Sequence, residues 1–433
     1  MLYYSTNHQS HKVDFREATI KGQAPDKGLY FPEEIPQAST SLINNIESLS
    51  RKEIAFEVIK PYVGSTIPPS TLEHIVQETI DFKIPLETIT DSTYSLELYH
   101  GPTLAFKDVG ARFMSRCLGY FVKNENKKIT VLVATSGDTG SAVANGFYNV
   151  EGIDVVILYP SGKVSATQEL QLTTPGNNIK AIEVEGSFDD CQRMVKNAFA
   201  DSGLLKKKFL TSANSINVAR WLPQQIYYYF AYQQWNDKRV PPVIAVPSGN
   251  FGNICAGLLA YKAGLPVKHF IAACNANDTI PSYLSTGNYT ARPSIPTISN
   301  AMDVGNPSNF IRILELFQHQ VSSLKNILTS YSITDDETKA TIAETFTKHN
   351  YILDPHGAVG LTALQRYLDA HPGEKGLFLE TAHPVKFYDV IEPVIHQKLN
   401  LPDSLTKLLN HKRKSIKIKP DDDTLKSLLL ELD

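Results

Sequence analysis

Cysteine is scarce in this sequence, with four residues in 433: Cys117, Cys191, Cys255 and Cys274. No two form a CxxC pair, so neither a disulfide scaffold nor a zinc ribbon is expected, and no metal site is predicted. Such usage fits a reducing compartment, and the expected location is cytoplasmic. Charge of one sign is missing too. Forty-two basic and 45 acidic side chains leave a formal net charge of −3. That excludes the strongly basic footprint of a general nucleic-acid binder. No apolar run reaches membrane-spanning length, so no membrane partner is expected. The first residues, MLYYSTNHQSHKVDF, carry neither the apolar core nor the cleavage pattern of a signal peptide. There is no internal repeat, no low-complexity tract, no Walker loop and no GxGxxG fingerprint, which disfavours nucleotide binding.

What is present is an ordinary globular composition, 42% hydrophobic and 20% charged. A chain of this length exceeds one compact core, so two or three domains are expected. Residues 1–92 read as a mixed α/β unit. Within it Thr71–Ile80 is predicted helical, capped at Ser70 after Pro68 and Pro69. From about Ser95, short apolar runs alternate with helical patterns. The runs are Thr130–Ala134, Asp154–Leu158, Lys180–Val184, Val243–Val246, Phe270–Ala273 and Gly376–Leu379; the helices are Asp189–Ala200, Val218–Trp235, Asp336–His349 and Ala358–Ala370. That alternation implies an α/β fold with buried, mostly parallel sheets flanked by helices. The expected division is an N-terminal domain at 1–92, a large domain at 93–125 and 215–400, a small α/β domain at 126–214 and a tail at 401–433. The basic run His411–Lys414, with Lys417 and Lys419, reads as a solvated linker before an amphipathic helix, Thr424–Leu432, in preference to an electrostatic docking patch.

In parallel sheets ligands sit beyond the carboxyl ends of the strands, so the strand-to-helix turns carry the chemistry. Five stations stand out. In HGPTLAFKD (100–108) a Gly-Pro turn precedes apolar residues at helical spacing: Val109, Phe113 and Cys117, with Met114 and Leu118 beside them. Lys107 therefore stands at a helix start, against a buried face. A lysine nucleophile must be neutral near pH 7, a destabilisation of roughly 4–5 kcal/mol for its ammonium. The helix end supplies at most about 1–2 kcal/mol, so desolvation must supply most of the rest. Taken alone, the same pattern fits a surface lysine equally well. In VLVATSGDTGSA (131–142) a strand runs into a turn whose amides and hydroxyls can cradle a small anion, or can form a plain capped turn. In VIAVPSGNFGN (243–253) Gly249 and Gly252 let the backbone close around a dianion at a helix N-terminus, while Asn250 and Asn253 can donate. In SANSINVAR (212–220) Arg220 can grip a phosphate bidentately, or lie exposed on its helix. In LFLETAHP (377–384) a strand ends at Thr381; His383 and His356 read as structural donors.

Together these stations resemble the threonine synthases of the longer, microbial type. Gly28–Pro32, HGPTLAFKD, TSGDTG, SANSIN, PSGNFGN, SNAMD (Ser299–Asp303) and TAHP occur in that family's order and approximate spacing. The resemblance implies a fold-type-II pyridoxal-phosphate enzyme, tryptophan-synthase-β-like, with an extra N-terminal domain. It implies that Lys107 carries pyridoxal 5'-phosphate as a Schiff base and shuttles the carbon protons. Gly249, Asn250, Phe251, Gly252 and Asn253 would hold the cofactor phosphate, and Thr381 would meet the pyridine nitrogen. Asp138 takes the place where many relatives face the phenolic oxygen with asparagine. Ser136, Thr139, Asn214, Ser215 and Arg220 resemble the substrate-binding set. The implied reaction is γ-elimination of phosphate from O-phospho-L-homoserine, then β-addition of water to give L-threonine. A monomer is expected, with a dimer left open. Two rivals share the scaffold: a phospho-lyase releasing 2-oxobutyrate, and a serine or threonine dehydratase, which would not need the Asn214–Arg220 group. A catalytically silent binding protein is the rival of another class, and the intact lysine, phosphate loop and Thr381 argue against it.

Overall fold

A computed structural model describes residues 1–123, 128–409 and 411–432. The expected domain boundary at 125/126 lies outside the described residues. Two parallel sheets dominate. The larger runs in the order Leu328–Ser332, His269–Cys274, Val243–Pro247, Gly376–Glu380, Thr93–Glu97 and Leu86–Thr88, with only the last strand antiparallel. The smaller is wholly parallel: Ile416–Ile418, Ile179–Val184, Ile153–Pro160, Ile129–Ala134 and Phe209–Thr211. Every residue of Ile129–Ala134, Ile153–Pro160, Val243–Pro247, His269–Cys274 and Gly376–Glu380 is buried. Helices cover both faces of such strands, so they read as continuous apolar runs.

Four expectations need correction. The helix expected from Thr71 spans Pro69–Thr79, with Pro68 at its N-cap and no side-chain cap from Ser70. Pro69 suits the first helical position, because its fixed φ is helical and the missing N–H would be unpaired there anyway. The helix expected over Val218–Trp235 is three pieces: Val218–Trp221, a 3₁₀ turn at Leu222–Gln224 containing Pro223, and Gln225–Gln234. A proline inside a helix removes one bond and crowds the preceding turn. The large sheet begins at Leu86, ahead of the expected boundary at 92/93, because Leu86–Thr88 forms a hairpin with Thr93–Glu97. The tail is no free linker. Ile416–Ile418 is the edge strand of the small sheet, paired with Ile182–Val184. Its basic residues face acidic partners there: Arg413 with Glu169 at 2.7 Å, and Lys417 with Glu183 and Glu185 at 3.6 and 3.5 Å. The last helix, Asp422–Leu430, buries Leu425 and Leu429 in the core under the small sheet.

The N-terminal unit carries a three-stranded antiparallel sheet of Leu2–Ser5, Val13–Asp14 and Tyr30–Pro32. It shares one core with the helices that follow: Phe15 meets Phe113, and Phe31 stacks on Trp221. Buried Arg312 joins the two. Its guanidinium donates to Tyr30 O at 3.0 Å, Ser215 O at 3.0 Å and Ile216 O at 2.6 Å, and lies over Trp221. One fully buried cation thus fixes the turn that precedes Arg220.

Candidate active site

The turn Gly101–Phe106 ends in the helix Lys107–Val122, so Lys107 is its first residue. Val109, Phe113, Met114, Cys117 and Leu118 are all buried, as their spacing requires. Asp108 ties the turn to the helix start, its carboxylate accepting from Thr103 N at 2.9 Å and Thr103 Oγ1 at 2.6 Å. Leu104 is held at φ +59°, an uncommon conformation for a residue with a branched side chain. The segment after the strand Gly376–Glu380 lies antiparallel to this turn. Phe106 N donates to Thr381 O at 2.9 Å and His383 N to Leu104 O at 3.0 Å. Thr381 and Lys107, far apart in sequence, are thereby brought together.

The Lys107 side chain is 16% exposed, and its Nζ lies 3.8 Å from Asp138 Oδ2. Burial holds the Lys107 amine below the usual lysine range; the Asp138 carboxylate opposes this, while the Lys386 and Arg220 charges reinforce it. Desolvation is thus the leading cause, as anticipated. Asp138 begins the helix Asp138–Gly146, which follows the strand Ile129–Ala134 of the small sheet. Its own burial works against ionisation, yet Lys386 and Lys107 hold the carboxyl well below the usual range. The shorter contact is with Lys386, whose Nζ lies 2.7 Å from Asp138 Oδ1. Gln168 Nε2 donates to the same oxygen at 3.0 Å. Gly137, at φ +134°, makes room for that contact, since a Cβ there would lie 2.3 Å from the Gln168 side chain. Ser136 and Thr139 flank Asp138 and are half-buried. The expected anion cradle on this turn is smaller than the sequence suggests, because Thr135 Oγ1 already accepts from Gly137 N at 2.9 Å and Gly140 N at 2.8 Å.

The third station lies beyond the strand Val243–Pro247. Phe251 sits in the left-handed region at φ +60°, and the helix Gly252–Lys262 starts immediately after it. The first amides of such a helix have no intrahelical partners and point outward, which favours an anion. Asn253 adds a buried side-chain amide, Nδ2, that has no hydrogen-bond partner, while its Oδ1 accepts from Tyr228 OH at 2.7 Å. Gly249 must lack a side chain, for a Cβ would lie 2.5 Å from Met302 Cα in the SNAMD segment. That segment is pinned by His356, whose Nε2 accepts from Ala301 N at 3.2 Å while its Nδ1 pairs with Asp354 at 2.5 Å. A helix N-terminus with an unpartnered buried amide donor fits a phosphate such as that of pyridoxal phosphate.

The fourth station departs from the simple division into two anion sites. Arg220 is buried, which removes the exposed-arginine reading. One terminal nitrogen donates to Ala213 O, and its Nε has no partner. It packs on Gly110, one turn beyond Lys107, where a Cβ would lie 3.2 Å from Arg220 Nε. Asn214 Oδ1 is likewise buried without a partner. Ser215, however, belongs with the Gly249–Asn253 loop: its Oγ accepts from Asn250 Nδ2 and from Asn309 Nδ2, both at 2.9 Å. Asn250 is itself occupied, with Oδ1 accepting from Ser308 N at 2.6 Å. Asn250 and Ser215 thus brace the loop, and the donors left open are Asn253 and the helix amides.

Around Thr381, strand alternation turns Glu380 away, as expected. Its carboxyl is fully buried, accepts from Asp354 N at 2.5 Å, and is pushed well up by burial and by the Asp354 charge. His383 is a cap, its Nδ1 accepting from Val385 N at 3.1 Å, and burial lowers it to about 4. The sequence reading missed Lys386. Its only signal was a lone lysine in the apolar stretch Pro384-Val-Lys-Phe387, directly after the fifth station. All four cysteines are buried and unpaired. Among the described residues there is no cluster fit to hold a metal, and no helix is long and apolar enough to cross a membrane.

Three family models match this chain: pyridoxal-phosphate dependent enzyme over residues 91–379, threonine synthase N terminus over 2–80, and threonine synthase C-terminal over 357–429. The threonine synthase of Haemophilus influenzae is 44% identical over 408 residues, covering 94% of each chain. The crystal structure of threonine synthase from Escherichia coli superposes with a TM-score of 0.94 at 40% identity, covering 100% of both chains. A PLP-bound threonine synthase from Brucella melitensis gives a TM-score of 0.92 at 33% identity, covering 99% of both.

Proposed function

This chain belongs to the threonine synthase family of pyridoxal-phosphate-dependent enzymes, and from that premise we propose that its cleft converts O-phospho-L-homoserine and water into L-threonine and phosphate, with Lys107 as the amine that carries the cofactor. The observation that carries the assignment to Lys107 is its place: a desolvated amine at a helix start, 3.8 Å from Asp138 and beside Thr381. Gly249–Asn253 would take the cofactor phosphate through the helix amides and Asn253 Nδ2. Thr381 would face the pyridine nitrogen with a hydroxyl, and Asp138 would face the phenolic side. When bound, the cofactor supplies an electron sink for charge developing beside the substrate nitrogen.

The protein's part is positional and protonic. Lys107 would move the protons at Cα, Cβ and Cγ of the substrate, and burial lowers its basicity in the direction that this role requires. Arg220 presents an unpartnered buried donor, Nε, and would hold the substrate's phosphate, whereas the open atom of Asn214 is the acceptor Oδ1 and would take a donor group of the substrate. Ser136 and Thr139 would hold its carboxylate through the turn's remaining donors. The site lies between two lobes, so closing them over substrate limits water to the one molecule that adds. The enzyme is taken to act as a cytoplasmic protein and as a monomer. The deciding experiment is incubation of purified protein with O-phospho-L-homoserine and identification of the products. Threonine with equimolar phosphate is expected. 2-Oxobutyrate instead would make the protein a phospho-lyase, and no turnover of a loaded protein would make it a binding protein.

A further inference from the structure

Lys386 is fully buried, yet nothing in the reaction outlined above uses it. It sits on the short 3₁₀ turn Pro384–Phe387, in the large domain. Its Nζ makes two contacts: Asp138 Oδ1 at 2.7 Å and Thr103 O at 3.0 Å. Asp138 belongs to the small domain, so this ion pair crosses the cleft. Gln171 of the small domain crosses in the other direction, its Nε2 reaching Thr103 O at 3.1 Å. The two oxygens of Asp138 therefore serve two lysines, Lys386 on one and Lys107 on the other.

We propose that Lys386 is a positioning residue of the active site, which holds Asp138 as a carboxylate across the cleft and thereby sets the basicity of Lys107. This rests on the reading of Lys107 as the reactive amine. The physical argument is one of shared charge. An isolated carboxylate beside Lys107 would stabilise its ammonium and make it a poor nucleophile. A second, closer cation draws on the same carboxylate and repels the Lys107 ammonium. The charged and titratable groups that bear on Lys107 are Asp138, Lys386 and Arg220. Those around Lys386 are Asp138, Lys107, Asp108 and His383. Among these, Lys386 alone combines full burial with a direct contact to Asp138.

The test reads Lys107 directly. Full-length protein freed of cofactor is labelled with trace acetic anhydride across a pH series, and acetylation of the Lys107 peptide is quantified by mass spectrometry. Lys386→Met should move the midpoint of the Lys107 titration upward by about one pH unit or more, a roughly tenfold loss of neutral amine at pH 7. The imine band should then form about tenfold more slowly when pyridoxal phosphate is added at that pH. Asp138→Asn should move the midpoint the opposite way, and Lys386→Arg should restore it towards the parent value. An unchanged midpoint in folded Lys386→Met overturns the proposal. If that variant does not fold, an unchanged midpoint in Asp138→Asn overturns it equally. Failure of the underlying reading is separable: borohydride reduction of the native holoenzyme would then mark a lysine other than Lys107.

Discussion

Replacing Arg220 by alanine is expected to damage substrate use and spare the cofactor. The guanidinium is buried one helical turn from Lys107, packed on Gly110, with one terminal nitrogen on Ala213 O and Nε unpartnered. Burial lowers it to about 10, still well above neutral pH, so it remains a cation when substrate binds. A charge-assisted contact to a phosphate contributes about 1.5–3 kcal/mol. Its loss lowers kcat/KM for O-phospho-L-homoserine by roughly ten- to a hundredfold or more. Phosphate also departs during the reaction, so kcat falls as well if the arginine stabilises the leaving charge. A structural cost comes with this, because Ala213 O loses its donor; about 1 kcal/mol of stability is the expected size. The assay compares Arg220→Ala with Asn253→Ala, titrating cofactor and substrate separately and recording thermal melts. Asn253→Ala should weaken cofactor binding and leave substrate discrimination alone. Loss of cofactor from Arg220→Ala with substrate kinetics intact would show that the two phosphate sites are reversed. A change in melting temperature alone would reduce Arg220 to a brace for Ala213.

Lys107→Ala should abolish turnover and the imine absorption band, and borohydride should fix the cofactor to no other lysine. The ring nitrogen should be unprotonated, because Thr381 offers a hydroxyl and Glu380 turns away towards Asp354; nitrogen NMR of labelled cofactor checks this, and a protonated nitrogen would refute it. Gly357→Ala should destabilise the fold by about 2 kcal/mol or more, since its Cβ would lie 1.4 Å from Glu380 Oε2; chemical denaturation measures it, and shortening Glu380 to alanine in the same chain should recover part of the loss. Burial raises Asp108 to about 6, so the stability it contributes is full below the unfolded carboxyl range and is lost as pH rises through 6. Asp108→Asn should accordingly flatten the stability profile between about pH 4 and 6, and an unchanged profile would contradict the assignment.

Six strands, Ile129–Ala134, Ile153–Pro160, Ile179–Val184, Val243–Pro247, His269–Cys274 and Gly376–Glu380, are legible as apolar runs because they are largely buried, whereas the short or polar Leu86–Thr88, Thr93–Glu97, Phe209–Thr211 and Leu328–Ser332 are not. The orientation of Glu380 followed from alternation alone. The rest depended on tertiary pairing. Ile416–Ile418 has only three residues and stands in basic sequence, so its strand character comes from the edge it completes. Lys386 looked like any lysine, because sequence does not reveal that a residue from the opposite lobe will bury it. The resemblance places Ser215 with Arg220 in the substrate-binding set, yet its hydroxyl turns to Asn250 and Asn309. Ser215 and Arg220, close along the chain, take different protein partners, and no periodicity encodes that choice.

The pairing of Ile416–Ile418 with Ile182–Val184 also bears on how the polypeptide is made. During synthesis the strand Ile179–Val184 emerges long before its outer neighbour. Until that neighbour arrives, the small sheet presents a row of open backbone amides and carbonyls, with the apolar surface later covered by Leu425 and Leu429 exposed beside it. Such an unfinished edge is a template for pairing between nascent chains. A chain ending before residue 416 would hold Lys107, Asp138, Arg220, Asn253 and Thr381 yet keep an aggregation-prone border. The yield of soluble protein should therefore depend on the tail more steeply than the chemistry of the cleft does.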